Sequence, residues 1–148
     1  MRDIYPSTFL SPNPNSPRWD FTRFTPDIVS ICLGTNDFSD GDGSVPRAPF
    51  DPALFIPAYV DFIKTVHGYY PEARIIITNT PMLDGQKNEI LMDCLQQIKT
   101  KAEASLPGLK PMYLFSFSSV YRSGCLGHPS VEEHGKMAEE FIDFLEGI

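Results

Sequence analysis

Three short apolar segments alternate along the chain with three longer segments whose apolar residues recur at helical spacing. The short segments lie at residues 27–33, 74–79 and 112–117, and the turn-forming residues 34–37 follow the first of them. A short apolar run that ends in turn residues is typical of a strand buried on both faces of a parallel sheet. Because a predicted helix follows each strand, the order indicates an α/β fold with right-handed crossovers.

The three predicted helices cover residues 52–70, 86–105 and 131–145. Asp51 and Pro52 are suited to the N-cap and first position of the first helix, which Pro71 ends. Pro57 lies inside that helix, where a proline either kinks the first turns or delays the helix start. The prediction is a single three-layer α/β/α domain over residues 1–148, with about three parallel strands and helices on both faces.

A proline-rich arm precedes the first predicted strand. Residues 1–26 contain five of the 14 prolines. Proline fixes φ and lacks an N–H donor, so the segment is predicted to be an extended arm. Aromatic side chains would hold it to the domain, and they are Tyr5, Phe9, Trp19 and Phe21.

Composition excludes several classes of function. The chain has 148 residues, with 12 Lys and Arg against 19 Asp and Glu, and this net charge of −7 argues against a nucleic-acid partner. No apolar run reaches the roughly 20 residues that span a bilayer, so no membrane-spanning helix is predicted. The N-terminus has no signal-peptide core, and the compartment stays undecided. The three cysteines are far apart without a CxxC motif, so no metal site is predicted.

Two segments fall where an open α/β sheet binds its ligands, at the carboxyl ends of the strands. Residues 34–37 (Gly-Thr-Asn-Asp) leave the first strand, and residues 124–129 (Gly-Cys-Leu-Gly-His-Pro) precede the last helix. If the first and third strands bring their ends together, Asn36 and His128 face one crevice. There an Asn amide stabilises an oxyanion and a His acts as a general base. The alternative is that Asn36 forms a turn and His128 is an ordinary loop residue. His134 is predicted to support the packing of the last helix.

The same two segments resemble conserved blocks of a known superfamily. Residues 26–37 (Pro-Asp-Ile-Val-Ser-Ile-Cys-Leu-Gly-Thr-Asn-Asp) are similar to the third block of the SGNH, or GDSL-type, hydrolases, and residues 125–130 with His134 to the fifth. The nearer likeness is to carbohydrate esterase family 2, which removes acetyl groups from plant polysaccharides. The resemblance implies a flavodoxin-like sheet, an oxyanion region at Gly34, Thr35 and Asn36, and His128 as base. It also implies an acetylated carbohydrate or small acyl ester as substrate, no cofactor, and a family that is often secreted.

The departures from the family pattern concern the nucleophile and the base. Nothing in the chain matches the Gly-Asp-Ser block, so the chain is expected to be truncated at its N-terminus, with the nucleophile missing or supplied from elsewhere. Among the loop serines near the presumed crevice, which are Ser39, Ser44, Ser118, Ser119 and Ser123, the last is the closest in sequence to His128 and is a candidate replacement. Cys125 is intrinsically more nucleophilic, but its position three residues before His128 does not favour it. Cys125 and Leu126 stand where the family commonly has an acidic residue, so a backbone carbonyl would orient the imidazole.

Three functional hypotheses follow from the resemblance. The first is an esterase that uses Asn36 and His128. The second is a catalytically inactive pseudo-esterase that binds carbohydrate or assembles with partners, with Trp19 either holding the arm or contacting sugar. The third is a fragment without a role of its own. In each case strand 27–33, which the resemblance places inside the sheet, is expected to be covered by a second copy in a homo-oligomer, first of all a dimer.

Overall fold

The computed structural model describes residues 4–8, 15–41, 44–45 and 47–148. Strands and helices alternate as predicted. The elements are β1 (Ile28–Cys32), α1 (Pro52–Tyr69), β2 (Arg74–Thr78), α2 (Gly85–Ser105), β3 (Tyr113–Phe115) and α3 (Val131–Glu146). Short 3-10 turns lie at Phe21–Arg23 and Cys125–Gly127, and an isolated antiparallel bridge joins Ser7 to Arg18.

The three strands form one parallel sheet in the order β1-β2-β3. Ile75 and Ile77 of β2 lie in the core formed with α1 and α2. On the opposite face, Phe115 of β3 contacts Phe141 of α3, with ring centroids 5.1 Å apart. Because α1 and α2 cover one face and α3 the other, the predicted three-layer α/β/α fold is confirmed.

The start of α1 follows from its first two residues. The Asp51 carboxylate accepts a hydrogen bond from the Ala53 N–H at 2.8 Å, and Pro52 occupies the first turn, where no N–H is needed. Pro57 lies inside the helix and does not delay its start, so that alternative was wrong. Because Pro57 lies close to the N-terminus of α1, its missing N–H removes a helical hydrogen bond near the first turn and not in the middle of the helix.

Strand β1 lies at an edge of the sheet. Within the described part of the chain it pairs only with β2, and β2 also separates it from β3. The side chain of Ile28 is 38% exposed, and Ser30 and Cys32 on the same face are exposed as well. The ends of the first and third strands are therefore not adjacent, and the loops that follow them approach each other only across the end of β2.

The N-terminal arm packs against α1. The ring of Tyr5 meets Phe62 edge-on with centroids 5.2 Å apart, and Phe21 stacks on Tyr69 at 3.6 Å. Trp19 is 43% exposed and lies beneath the Arg23 guanidinium. Phe9, also predicted to hold the arm, lies outside the described residues. Aromatic packing of the arm is thus confirmed for Tyr5 and Phe21.

None of the helices in the described ranges is both long enough and apolar enough to cross a bilayer.

Candidate functional site

The turn after β1 presents Asn36 at the carboxyl end of the sheet. The N–H groups of Asp37 and Phe38 both donate to the Gly34 carbonyl, at 3.0 and 3.2 Å. Gly34 has φ +126°, and a Cβ there would lie 2.9 Å from the Leu91 side chain, so glycine suits this position. Asn36 is exposed, and its side-chain amide has no hydrogen-bond partner among the described residues. The amide N–H is therefore free to donate to a ligand.

His128 lies at the end of a loop formed by residues 123–130. Its backbone is held within the loop, because the His128 N–H donates to the Cys125 carbonyl at 3.1 Å and the His128 carbonyl accepts from the Gly124 N–H at 2.8 Å. The imidazole is exposed and makes no hydrogen bond to any other described residue. Leu126, two positions earlier, adopts a left-handed φ of 53° with its side chain 92% exposed.

A cavity of about 410 Å³ lies between the sheet and α3. Thr35 from the turn after β1 and Pro129 from the His128 loop both line it. The structure thus brings the neighbours of Asn36 and His128 to one cavity, although their strands are not adjacent. His134 lies on α3 as predicted, but it is exposed and lines this cavity instead of supporting the packing of the helix.

A second cavity, of about 450 Å³, lies on the α1 side of β1. The predicted oxyanion residues Gly34, Thr35 and Asn36 all line it. It shares Cys32 and Thr35 with the first cavity, so the open edge of β1 has a hollow on either side. The Cys32 sulfur is 3.4 Å from the Asn79 carbonyl oxygen, and its partial removal from water raises the pKa of the thiol. Cys32 is accordingly a poor thiolate nucleophile at neutral pH.

Ser123 is bound to Glu133 and not to His128. The Ser123 N–H donates to the Glu133 carboxylate, at 3.0 Å from Oε2 and 3.3 Å from Oε1. No hydrogen bond joins Ser123 to His128 within the described ranges, so this candidate nucleophile is not paired with the predicted base. All three cysteines are free thiols, and residues 4–8, 15–41, 44–45 and 47–148 include no group of three or more His, Cys, Asp or Glu side chains placed to hold a metal ion.

Asn79 is the buried polar residue that sequence reasoning missed. It follows β2 directly, is 3% exposed, and accepts a hydrogen bond from the Phe117 N–H at 2.9 Å. Its amide donates to Asn88 of α2 at 3.1 Å, and its backbone N–H donates to the Phe115 carbonyl. The feature of the sequence that could have identified Asn79 is its position at the carboxyl end of the most apolar strand. This one side chain joins β2, the segment after β3, and α2 beside the cavity.

An open parallel sheet with cavities at the carboxyl ends of its strands defines a ligand-binding α/β domain. Asn36 lines one of these cavities, and Pro129, the neighbour of His128, lines the other. An amide donor and an imidazole base are two of the groups that acyl transfer uses, together with a nucleophile.

Comparison with known proteins agrees with this class. The chain is 30% identical over 150 residues to an acetylxylan esterase / glucomannan deacetylase of Cellvibrio japonicus, and the match covers 100% of the chain but 38% of that relative. A solved family two carbohydrate esterase from Cellvibrio japonicus superposes with a TM-score of 0.80 at 28% identity, over 99% of this chain and 40% of that one. Another, from Clostridium thermocellum in complex with cellohexaose, gives 0.72 at 31% identity, over 88% and 38%.

No protein-family model matches the chain. Its homologues and structural neighbours are nevertheless carbohydrate esterases of family 2, of the SGNH type, and it shares their α/β fold. The family resemblance of the sequence is thereby confirmed. The chain spans only 38% of the length of the Cellvibrio japonicus acetylxylan esterase / glucomannan deacetylase that it matches.

Proposed function

We propose that the chain carries part of the active site of a carbohydrate acetyl esterase, with Asn36 as oxyanion donor and His128 as general base. One observation carries the proposal. Thr35 and Pro129, the neighbours of these two residues, line a single cavity of about 410 Å³ at the carboxyl end of the sheet. Both functional side chains lack other partners among the described residues, so both are available to a substrate or a nucleophile.

The proposed reaction is acyl transfer through a serine. His128 accepts the proton of the serine hydroxyl as its oxygen attacks the ester carbonyl carbon, and the Asn36 N–H donates to the oxyanion that forms. When the C–O bond to the sugar breaks, His128 returns the proton to the sugar oxygen. Water then attacks the acyl-serine by the same steps and releases acetate. The serine nucleophile of this reaction is supplied from elsewhere, because no serine hydroxyl in the described residues bonds to His128.

The proposed substrate is an acetylated, β-linked plant polysaccharide. A net charge of −7 disfavours anionic polymers and is compatible with a neutral sugar chain. Gly34, Thr35 and Asn36 would form the oxyanion region beside the 450 Å³ cavity, whose aromatic wall includes Phe55 and Tyr59. The Clostridium thermocellum neighbour was solved in complex with cellohexaose, a β-linked glucan.

Hydrolysis of p-nitrophenyl acetate by the pure chain tests the role of His128. We expect His128→Ala to lower the rate by about 10²-fold or more, the usual contribution of a general base. His67→Ala is the matched control, because His67 lies in the last turn of α1 with its ring near the Pro107 carbonyl, and it should leave the rate unchanged. Equal rates above the uncatalysed background for wild type and His128→Ala would refute the mechanism.

A second candidate function is a pseudo-esterase that binds carbohydrate without hydrolysing it. It is favoured by the observation that Ser123 bonds to Glu133, and that no serine hydroxyl in the described residues bonds to His128. Cello-oligosaccharide binding measured by NMR, in a chain that does not react with a serine-directed acyl trap, would support this alternative. Hydrolysis that depends on His128 would exclude it.

The exposed edge of β1 supports a further proposal, that a second copy of the chain completes the sheet. Alternate residues of the five-residue strand β1 direct their backbone groups away from β2, and an unprotected edge strand pairs readily with another chain. The simplest closure is an isologous two-fold dimer in which the two β1 strands pair antiparallel. Sedimentation at micromolar concentration decides the matter. A stable soluble species near the monomer mass of 16.6 kDa would refute the dimer.

A further inference from the structure

The loop that presents His128 is closed at both ends by one carboxylate from α3. Glu133 Oε2 accepts hydrogen bonds from the Ser130 N–H at 2.7 Å and from the Ser123 N–H at 3.0 Å. The bond to Ser130 belongs to an ordinary capping box, because the Ser130 hydroxyl in turn accepts from the Glu133 N–H. The hydrogen bond from the Ser123 N–H is not part of the capping box. It joins residues ten positions apart, across the whole loop.

The two ends of the loop are also packed backbone against backbone. A Cβ on Gly124 would lie 2.8 Å from the His128 carbonyl oxygen, 3.0 Å from the Pro129 carbonyl oxygen and 3.0 Å from the Ser130 nitrogen. These atoms belong to the main chain and have little freedom to move aside. The loop is therefore closed by two contacts on the segment that carries His128: the Gly124 N–H donates to the His128 carbonyl, and the Glu133 carboxylate accepts from the Ser130 N–H.

Glu133 is an anion at neutral pH. Hydrogen bonds from Ser130 and Ser123 lower its pKa to about 2, well below the ordinary value of 4.5. Bonds to an ionised acceptor are stronger than bonds between neutral groups. The family commonly places an acidic residue close before its catalytic His, whereas Cys125 and Leu126 stand there in this chain. An acidic group does reach the loop, but from α3 and through the main chain.

We propose that Glu133 is a positioning residue for His128, holding the ends of the 123–130 loop together so that the imidazole stays beside the cavity lined by Thr35 and Pro129. The carboxylate acts on the loop backbone and not on the imidazole ring. The inference rests on the proposed role of His128 as base, but the closure of the loop is measurable without any activity.

The experiment compares Glu133→Ala with Ser130→Ala in the full chain by NMR. Ser130→Ala removes the side-chain cap of α3 and leaves both backbone donors on Glu133, so it is the matched control for a purely capping role. We expect Glu133→Ala to accelerate hydrogen exchange of the Ser123 and Gly124 amides by about tenfold or more. The His128 imidazole resonance should broaden or move toward its unfolded shift. Ser130→Ala should leave both observables near wild type.

Glu133→Gln is the conservative variant, because a glutamine oxygen still accepts from a backbone N–H. It should give exchange rates between those of wild type and Glu133→Ala, and it serves in place of Glu133→Ala if that variant fails to fold. Wild-type exchange in both Glu133 variants, or equal changes in Ser130→Ala and Glu133→Ala, would overturn the proposal and make Glu133 a helix cap alone. If His128→Ala retains full esterase activity while Glu133→Ala opens the loop, the base assignment fails and the loop closure stands.

Discussion

The two faces of the sheet differ in how completely they are buried. On the face covered by α1 and α2, the side chains of Ile63, Ile77, Leu95 and Ile98 are fully buried. On the opposite face α3 has no buried residue, and Ile28 at the edge of the sheet is 38% exposed. Because apolar burial is the main source of stability, the α1/α2 face stabilises the fold, whereas the α3 face is left partly open.

The same difference separates the residues that stabilise the fold from those of the proposed site. Thr35 and Pro129 border a cavity on the incompletely covered α3 face, where a substrate has room to enter. On the packed face, isoleucine and leucine side chains fill the space between β2 and its helices, and the 450 Å³ cavity lies beside α1 at the open edge of β1. Substitutions on the two faces should therefore have unequal effects on stability, and the following predictions test that contrast.

The largest effect is expected from a leucine in the packed face. Leu95→Ala removes a fully buried side chain of α2 and should lower the free energy of unfolding by about 2–5 kcal/mol. Leu145→Ala, the same substitution on the partly buried side of α3, should cost roughly 1 kcal/mol. Urea denaturation at neutral pH measures both. Equal losses for the two variants would remove the distinction between the faces.

A smaller effect is expected at Asn79, which joins the two layers. Asn79→Ala leaves the Phe117 N–H without its side-chain acceptor in a buried setting, and we expect a loss of about 1–3 kcal/mol. Asn88→Ala removes only the partner of the Asn79 amide and should cost less. The check is the urea midpoint of each variant against wild type. A larger loss of stability in Asn88→Ala than in Asn79→Ala would show that the hydrogen bond to Phe117 is not the more important of the two.

The acid sensitivity of the α3 face should depend on Glu133. Its folded-state pKa of about 2 lies below the ordinary 4.5, so its stabilising effect is complete above pH 4.5 and is lost as the pH falls toward 2. Glu133→Gln should therefore be less stable than wild type at pH 7, and the difference should shrink on acidification. Glu139→Gln, on the same helix and without a hydrogen bond to another described residue, is the control. A Glu133→Gln difference that is constant from pH 7 to pH 3 would contradict the prediction.

The smallest effect is expected at Leu126. A leucine at φ 53° is strained, whereas asparagine tolerates the left-handed region, and the exposed leucine side chain has little packing to lose. Leu126→Asn should raise the free energy of unfolding by up to about 1 kcal/mol. Leu54→Asn, at an exposed helical position of α1, should instead be slightly destabilising. Thermal unfolding of both variants is the measurement, and a loss of stability in Leu126→Asn would show that the strain is not relieved.

Local signals in the sequence predicted most of the fold. The Asp51-Pro52 pair placed the start of α1 correctly, because an N-cap and an N1 proline act within one turn. The apolar run at residues 74–79 predicted β2 for a similar reason, since strand character follows from a few consecutive side chains. The capping box of α3 was equally readable in Ser130 and Glu133, although the sequence reasoning did not use it.

The candidate site was only partly predictable. Asn36 and His128 were selected from their segments, and the family resemblance was confirmed by the relatives of the chain. Their catalytic roles remain predictions. Asn79 and the bond from Ser123 to Glu133 escaped the sequence reasoning, because each depends on residues brought together from different elements.

The sequence alone determined the order of strands and helices and the tight turn at Gly34, because those features depend on backbone preferences over a few residues. Only the tertiary structure decided that β2 separates β1 from β3, that β1 lies at an open edge, and that Thr35 and Pro129 share a cavity. The reason is physical. Strand pairing and cavity shape are set by how distant side chains pack, and no local pattern encodes which distant surfaces will meet.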